Sequence, residues 1–175
     1  MGDAILEVLA LYCRAIDRCD AELLRRLYWP EAIEDRGYFS GDRDAFVAWV
    51  IPQLTGLDST HHQIGLPSIA LDGDAADVET YWVGYKKLKP AAGVRDQITG
   101  GRYLDRMAAR NGEWRILRRT AVADWLTTAE GVAWDAFAFG ALHISVSVGP
   151  RTVSIASDPR RRRLVDRQSR CKLLA

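Results

Sequence analysis

Two short turn signals, Asp72-Gly73 and Asn111-Gly112, most restrict the folds open to this chain of 175 residues. Both dipeptides favour the tight turns that join neighbouring antiparallel strands, because these residues tolerate the left-handed backbone that such turns require. Apolar and polar residues alternate on either side of the turns, as expected for strands with one buried face. The sequence therefore predicts hairpins, and with them an antiparallel sheet, after about residue 60.

The predicted sheet has four strands. The first opens at Ser59, from which residues alternate between two faces. In the next strand Val78, Thr80 and Trp82 share one face, because side chains two positions apart point the same way. A stretch containing proline and glycine separates this strand from the next and is expected to be a longer loop. We predict the three later strands over residues 76–87, 98–109 and 113–125, and the loop over residues 89–97.

Helical patterns precede the sheet. Leu9, Cys13 and Ile16 recur at helical spacing and predict a first helix with one buried face. Asp20 and Asp42 each precede a further apolar stretch and are typical N-caps, whose carboxylates accept hydrogen bonds from free backbone N–H groups. We predict helices over residues 4–18, 21–28 and 43–54, with a short irregular or strand segment over residues 31–40.

Three helices followed by a four-stranded antiparallel meander indicate an α+β fold. The helices are expected to pack into the concave face of a strongly curved sheet, which makes a cone with a pocket at its open end. We expect residues 1–130 to form this domain and residues 131–175 to form a C-terminal extension. The extension is predicted to contain a strand pair about Gly149-Pro150 and a basic, mobile tail that includes Arg160 to Arg163.

Composition excludes several classes of protein. The 48% apolar and 27% charged content is ordinary for a globular domain, and no apolar run is long enough to cross a membrane. The net charge is +1, but the last 25 residues carry eight basic and two acidic side chains, so the domain itself is acidic and has no basic footprint for nucleic acid. Three cysteines without a CxxC motif, and no basic stretch of a secretory signal, favour a reduced, cytoplasmic setting.

Four side chains are candidates for chemistry, and each also has an ordinary structural explanation. Asp17 lies at the margin of the apolar helix face, where it either caps the next turn or pairs with a neighbouring arginine in solvent, or else faces a pocket and orients a histidine. His62 shares its strand face with Ile64, so it is expected to point inward and His61 outward. Tyr12 is either a core aromatic or a hydroxyl donor. Residue Arg119 lies in a basic strand and is either solvated or a donor as well.

The order of motifs resembles a known family. The helix with Tyr-x4-Asp is followed by Trp-Pro-Glu-Ala, Thr-His-His-Gln-Ile-Gly, Asp-Gly-Asp-Ala and Gly-Glu-Trp-Arg-Ile. This series, from about Ile5 to Trp125, resembles the SnoaL-like branch of the NTF2-like superfamily. The resemblance implies an α+β cone that uses no metal and no organic cofactor. Relatives such as bile acid 7α-dehydratase, hexachlorocyclohexane dehydrochlorinase and the more distant scytalone dehydratase eliminate water or HCl from small hydrophobic molecules.

The resemblance also implies a site. By order and approximate spacing, it matches the active-site set of these relatives to Tyr12, Asp17, His62 and Arg119. Chemistry supports the match, because an elimination needs a base near neutral pKa to take a proton from carbon, and histidine supplies it. A carboxylate on the other ring nitrogen fixes the tautomer, and a tyrosine and an arginine polarise a carbonyl or hold the leaving group. Residues implied to line the substrate pocket are Trp82, Gly84, Tyr103 and, more weakly, Thr99.

These expectations predict a cofactor-independent lyase, in particular a dehydratase, acting on a small hydrophobic or cyclic substrate. A ligand-binding or subunit-assembly module without catalysis is the alternative, because a fold alone does not decide function. An isomerase or polyketide-type cyclase would use the same base without losing a leaving group. We also predict a homo-oligomer, a dimer or trimer, formed through the outer sheet face by Trp114, Ile116 and Val122.

Overall fold

A computed structural model describes residues 2–88 and 95–130, and the N-terminal part of it is mainly helical. Helix α1 buries Ile5, Leu9 and Ile16, which are at most 3% exposed, and so presents the predicted apolar face to the core. The buried face matches the helical spacing of apolar residues in the sequence, and this spacing explains how α1 packs. The helices are α1 (Gly2–Asp17), α2 (Ala21–Arg26) and α3 (Arg43–Thr55).

Both predicted N-caps are present. A carboxylate oxygen of Asp20 accepts a hydrogen bond from the backbone N–H of Leu23 at 2.9 Å, and Asp42 accepts one from Ala45 at 2.8 Å. Each bond satisfies a donor that the first turn of a helix leaves without a backbone partner. Pro52 lies in the last turn of α3, as expected. The starts of the second and third helices are therefore determined locally.

A curved, open sheet of seven strands follows the order β2-β1-β7-β6-β5-β3, with β4 also paired to β5. Strands β5, β6 and β7 form the predicted antiparallel meander, and β3 and β4 pair with successive parts of the same edge of β5. The strands are β1 (Tyr28–Asp35), β2 (Ser40–Asp42), β3 (Ser59–Ile64), β4 (Ser68–Asp72), β5 (Ala75–Leu88), β6 (Arg95–Arg110) and β7 (Glu113–Glu130).

The sheet is mixed and not purely antiparallel as predicted, because β1 pairs in parallel with β7. Strand β1 contains Pro30, and its register with β7 is interrupted between Tyr28 and Ile33. A proline has no N–H for the ladder, so an interruption is where it can be accommodated. The proline and the polar residues beside it obscure the strand pattern in the sequence. The predicted helix 21–28 is therefore two residues too long, and the strand over residues 28–35 is not distinguished from an irregular segment.

Two other boundaries differ. Strand β6 begins at Arg95, inside the predicted loop, and β7 continues to Glu130. The rest of that loop and the whole predicted extension, residues 131–175, lie outside the described residues. In the described part of the chain, no helix has the length and apolar character needed to cross a bilayer.

A β-bulge changes the faces of β7. Met107 pairs with Ile116 and Arg106 pairs with Arg118, so Leu117 is an extra residue without a partner. As a result Trp114 and Ile116 point into the core, where they are 8% and 0% exposed. The prediction that these two residues form an outer, oligomeric face is therefore wrong.

Candidate active site

An aspartate and a histidine meet where α1 ends against β3. The Oδ1 atom of Asp17 lies 2.7 Å from Nδ1 of His62, and Oδ2 accepts a hydrogen bond from the His62 backbone N–H at 2.8 Å. The two side chains are 13% and 9% exposed. A carboxylate on Nδ1 favours the tautomer that carries its proton there, which leaves Nε2 as an acceptor. The pair thus has the arrangement of a base and its orienting carboxylate.

Strand alternation decides which histidine faces inward. The side chain of His61 is 73% exposed, whereas that of His62 is 9% exposed. His62 lies opposite Gly84 on β5, and a Cβ atom at position 84 would be only 3.2 Å from its Nε2 and 3.3 Å from Trp82. The missing side chain of Gly84 therefore gives the imidazole the space it occupies.

The imidazole borders a cavity with two adjoining chambers. We call the chamber of about 220 Å³ beneath α1 and α3 the helix chamber, and the chamber of about 210 Å³ over β5, β6 and β7 the sheet chamber. A larger depression of about 370 Å³ on β4, β5 and β6 contains none of the predicted site residues. The residues shared by the walls of both chambers are Arg36, Tyr38, His62, Lys86 and Gln97.

All four residues predicted to line a pocket border the sheet chamber: Trp82, Gly84, Thr99 and Tyr103. The rings of Trp82 and Tyr103 stack with centroids 5.2 Å apart and planes 12° apart. Both rings border the sheet chamber and make one side of it aromatic. Such a wall suits a hydrophobic or cyclic group.

Tyr12 borders the helix chamber and is 1% exposed. Its hydroxyl oxygen accepts a hydrogen bond from Nη2 of Arg36 at 2.6 Å. Burial raises the pKa of Tyr12, an effect that the charge of Arg36 partly offsets. The phenol therefore keeps its proton and can donate it to an acceptor in the cavity.

Arg119 does not reach the cavity, which corrects the sequence prediction. Its side chain is fully buried and borders neither chamber. Nε and Nη2 bind both carboxylate oxygens of Asp105 at 2.7 and 2.6 Å, and the guanidinium lies 4.1 and 4.2 Å from the ring centres of Tyr12 and Tyr103. Asp105 is the cross-strand partner of Arg119, so the two charges are taken out of water together.

Arg36, and not the predicted Arg119, supplies the guanidinium at the cavity wall. Besides Tyr12, its Nη2 is 2.8 Å from Oε1 of the fully buried Glu34, whose other oxygen accepts a hydrogen bond from Tyr28 at 2.8 Å. Arg36 is not among the predicted site residues, because a segment that is either irregular or a strand assigns no inner or outer face to residues 31–40. The spacing of Glu34 and Arg36, two positions apart, was the available signal.

Lys86 and Gln97 were missed as well. Lys86 has the same strand parity as Trp82 and Gly84, and this parity would have identified it. Gln97 fell in the predicted loop. Burial, and after it the charge of Arg36, lowers the pKa of Lys86.

Across residues 2–88 and 95–130, no three His, Cys, Asp or Glu side chains converge as a metal would require.

Known structures share this fold. A scytalone dehydratase-like protein from Novosphingobium aromaticivorans is 18% identical, with a TM-score of 0.64 over 87% of this chain and 94% of that one. A type 2 hexachlorocyclohexane dehydrochlorinase is 14% identical, with a TM-score of 0.65 over 74% and 89%. An NTF2-like superfamily protein from Salmonella enterica is 20% identical, with a TM-score of 0.63 over 70% and 89%.

These low identities establish a common architecture only, because unrelated functions occur on one fold. No curated protein sequence matches the chain. The sequence pattern of the SnoaL-like domain matches residues 2–120, which include both members of the aspartate–histidine pair. The chain therefore belongs to the SnoaL-like domain family, within the NTF2-like fold.

Proposed function

We propose that this protein is a cofactor-independent lyase that eliminates a small leaving group, such as water, from a hydrophobic or cyclic substrate. The observation that supports the proposal is the 2.7 Å contact between Asp17 and His62 beside a cavity. Burying a carboxylate is costly unless it is paired, and this one is paired with a group whose second nitrogen stays open. The arrangement suits proton abstraction from carbon better than it suits packing.

The residues divide the reaction between them. Nε2 of His62 takes a proton from a carbon next to a carbonyl, and the C–H electron pair moves to form an enolate. The Tyr12 hydroxyl, polarised by Arg36, stabilises the enolate oxygen. As the enolate electrons form the new carbon–carbon double bond, the hydroxyl group on the next carbon leaves with its bonding pair. It takes the proton from His62 and departs as water.

A base without a leaving group would make the protein an isomerase or cyclase, and a cavity without chemistry would make it a binding module. A test for proton abstraction distinguishes the binding module, which would not catalyse it, from the lyase, isomerase and cyclase, which would. In deuterium oxide, a working base exchanges the acidic C–H protons of 2-tetralone, a neutral bicyclic ketone. Proton NMR follows this deuterium-exchange assay directly. A panel of cyclic β-hydroxy ketones, followed by the absorbance of the enone product, then tests for loss of water.

The decisive comparison is between neighbouring histidines. His62→Ala should reduce exchange by about 10²- to 10⁴-fold, the usual contribution of a general base. The matched control is His61→Ala, because His61 is 73% exposed, borders neither chamber, and its Nδ1 lies 4.0 Å from Oδ2 of Asp17, too far for a hydrogen bond. Exchange no faster than in protein-free buffer, or equal loss in both variants, would favour the binding module.

A further inference from the structure

The wall shared by the two chambers carries positive charge without a balancing carboxylate in the cavity. Arg36 and Lys86 both border each chamber, together with His62. Among the described residues, no Asp or Glu side chain lines either chamber. Asp17 and Glu34 lie behind the wall, where each is engaged with one of its members. An incoming ligand therefore meets a cationic surface.

Lys86 borders both chambers and has no partner among residues 2–88 and 95–130. Its ammonium group makes no hydrogen bond or ion pair with any residue that the structure describes, although its side chain is half-buried. The adjacent Lys87, on the opposite strand face, lies 3.9 Å from Asp96. Removing a cation from water without an anion beside it costs free energy, and the lowered pKa of Lys86 is one expression of that cost. A bound anion would remove the cost.

Two residues that border the cavity also carry unpaired donors. Nε of Arg36 and Nε1 of Trp82 are buried and have no hydrogen-bond partner within the described part of the chain. A buried polar group without a hydrogen-bond partner is rare in folded proteins unless a ligand or water supplies the partner. The side-chain amide of Gln97 borders both chambers and can donate there too. The cavity thus has an excess of donors over acceptors.

We propose that the substrate is a hydrophobic carboxylate whose anionic group binds Lys86, with Gln97 as a second donor. This inference rests on the proposed function for its choice of cavity and names the substrate class. One unpaired ammonium suits a single negative charge, and the stacked rings of Trp82 and Tyr103 suit an apolar body. Lys86 is two residues along β5 from Gly84, over which His62 lies, so the Cα atoms of positions 84 and 86 are about 7 Å apart and the carboxylate binds close to the base.

Matched probes test the charge alone. The anion 2-naphthoate and its neutral analogue 2-naphthamide have nearly the same shape and fit the combined chambers. We expect 2-naphthoate to bind wild-type protein at least about tenfold more tightly than the amide in calorimetry, as for one charge-assisted hydrogen bond. Lys86→Met should remove most of this preference, while Lys86→Arg should keep it. Arg118→Met, an exposed site outside both chambers, removes the same charge and should leave the preference unchanged.

Equal binding of the two probes to wild-type protein would overturn the inference. So would an undiminished preference in Lys86→Met, or an equal loss in Arg118→Met. Thermal unfolding of each variant confirms that the comparison is made on folded protein. Loss of the preference with His62-dependent exchange intact would refute the carboxylate alone. A Lys86-dependent preference without exchange would refute the lyase and leave the anion site standing.

Discussion

Two of the buried acid–base pairs in the described part of the chain have opposite surroundings. Asp105 and Arg119 enclose each other between two aromatic rings, and the arginine is fully buried. Asp17 and His62 are nearly as buried, but the imidazole borders the cavity, and no described residue forms a hydrogen bond with its second nitrogen. Asp105 and Arg119 direct most of their side-chain hydrogen bonds at each other, whereas His62 keeps one ring nitrogen available for a ligand. Burial of charge therefore does not by itself identify a catalytic group; an open atom beside a cavity does.

The largest effect is expected from breaking the enclosed pair. Asp105→Ala leaves the guanidinium of Arg119 buried without its anion, which typically costs about 3–5 kcal/mol. Urea unfolding should show this loss. A matched exposed aspartate, Asp77→Ala, should change the free energy of unfolding by less than about 1 kcal/mol. Similar values for the two variants would show that the enclosed pair does not stabilise the fold.

Breaking the pair of Asp17 and His62 should instead reduce catalysis more than it reduces stability. Asp17→Asn keeps the size of the side chain but removes the charge that stabilises a protonated His62. We expect deuterium exchange to fall by about 10²-fold or more, while the free energy of unfolding changes by about 1 kcal/mol. A variant that unfolds as readily as Asp105→Ala would erase the distinction between the two pairs.

A smaller effect should come from crowding the open pair. In Gly84→Ala the new methyl group meets Nε2 of His62 at 3.2 Å, so the ring must move by a few tenths of an ångström. Displacements of this size should reduce exchange by about threefold to tenfold, since catalysis depends on close positioning. Gly65→Ala is the control, because its methyl group would meet only ordinary contacts at 3.8 Å. Equal rates in both variants would mean that the ring position is not critical.

The smallest expected effect is the uptake of a proton by the protein when 2-naphthoate binds. The pKa of Lys86 is lowered, so the lysine loses its charge at a lower pH than an exposed lysine does. Affinity for 2-naphthoate should therefore be full below that pKa and fall above it, and binding in this window should take up part of a proton. Burial raises the pKa of Tyr12 and Tyr103, so these phenols stay neutral there. The titratable or charged groups that border the two chambers are Tyr12, Arg36, Tyr38, His62, Lys86 and Tyr103.

Calorimetry in two buffers with different ionisation enthalpies measures this uptake. Lys86→Arg supplies the control, since a guanidinium does not titrate in this range. Uptake that persists in Lys86→Arg would assign the proton to another group.

Much of the fold was predictable because its signals are local. The two N-caps, the tight turns at Gly73 and Gly112 and the apolar face of α1 each depend on residues close together in sequence. The choice of His62 over His61 followed from strand alternation for the same reason. Strand β1 was not predictable, because its partner β7 lies more than eighty residues away and Pro30 interrupts its pattern.

The site was predictable only in part. The sequence could place Asp17, His62 and the stacked wall of Trp82 and Tyr103, since each lies on a regular element. It could not place Trp114 and Ile116 on the same face as Arg119, because the bulge at Leu117 shifts the alternation of β7, and a bulge depends on pairing with another strand.

That bulge has an evolutionary consequence. It accommodates one extra residue in β7 without changing the partners on either side, so Ile116 stays opposite Met107 and Arg119 opposite Asp105. Deleting Leu117 would remove this extra residue and keep both pairings, with Arg118 still opposite Arg106. A one-residue deletion in a regular part of the strand would instead turn every later side chain to the other face of the sheet. Single-residue deletions should therefore be better tolerated at the bulge than elsewhere in β7.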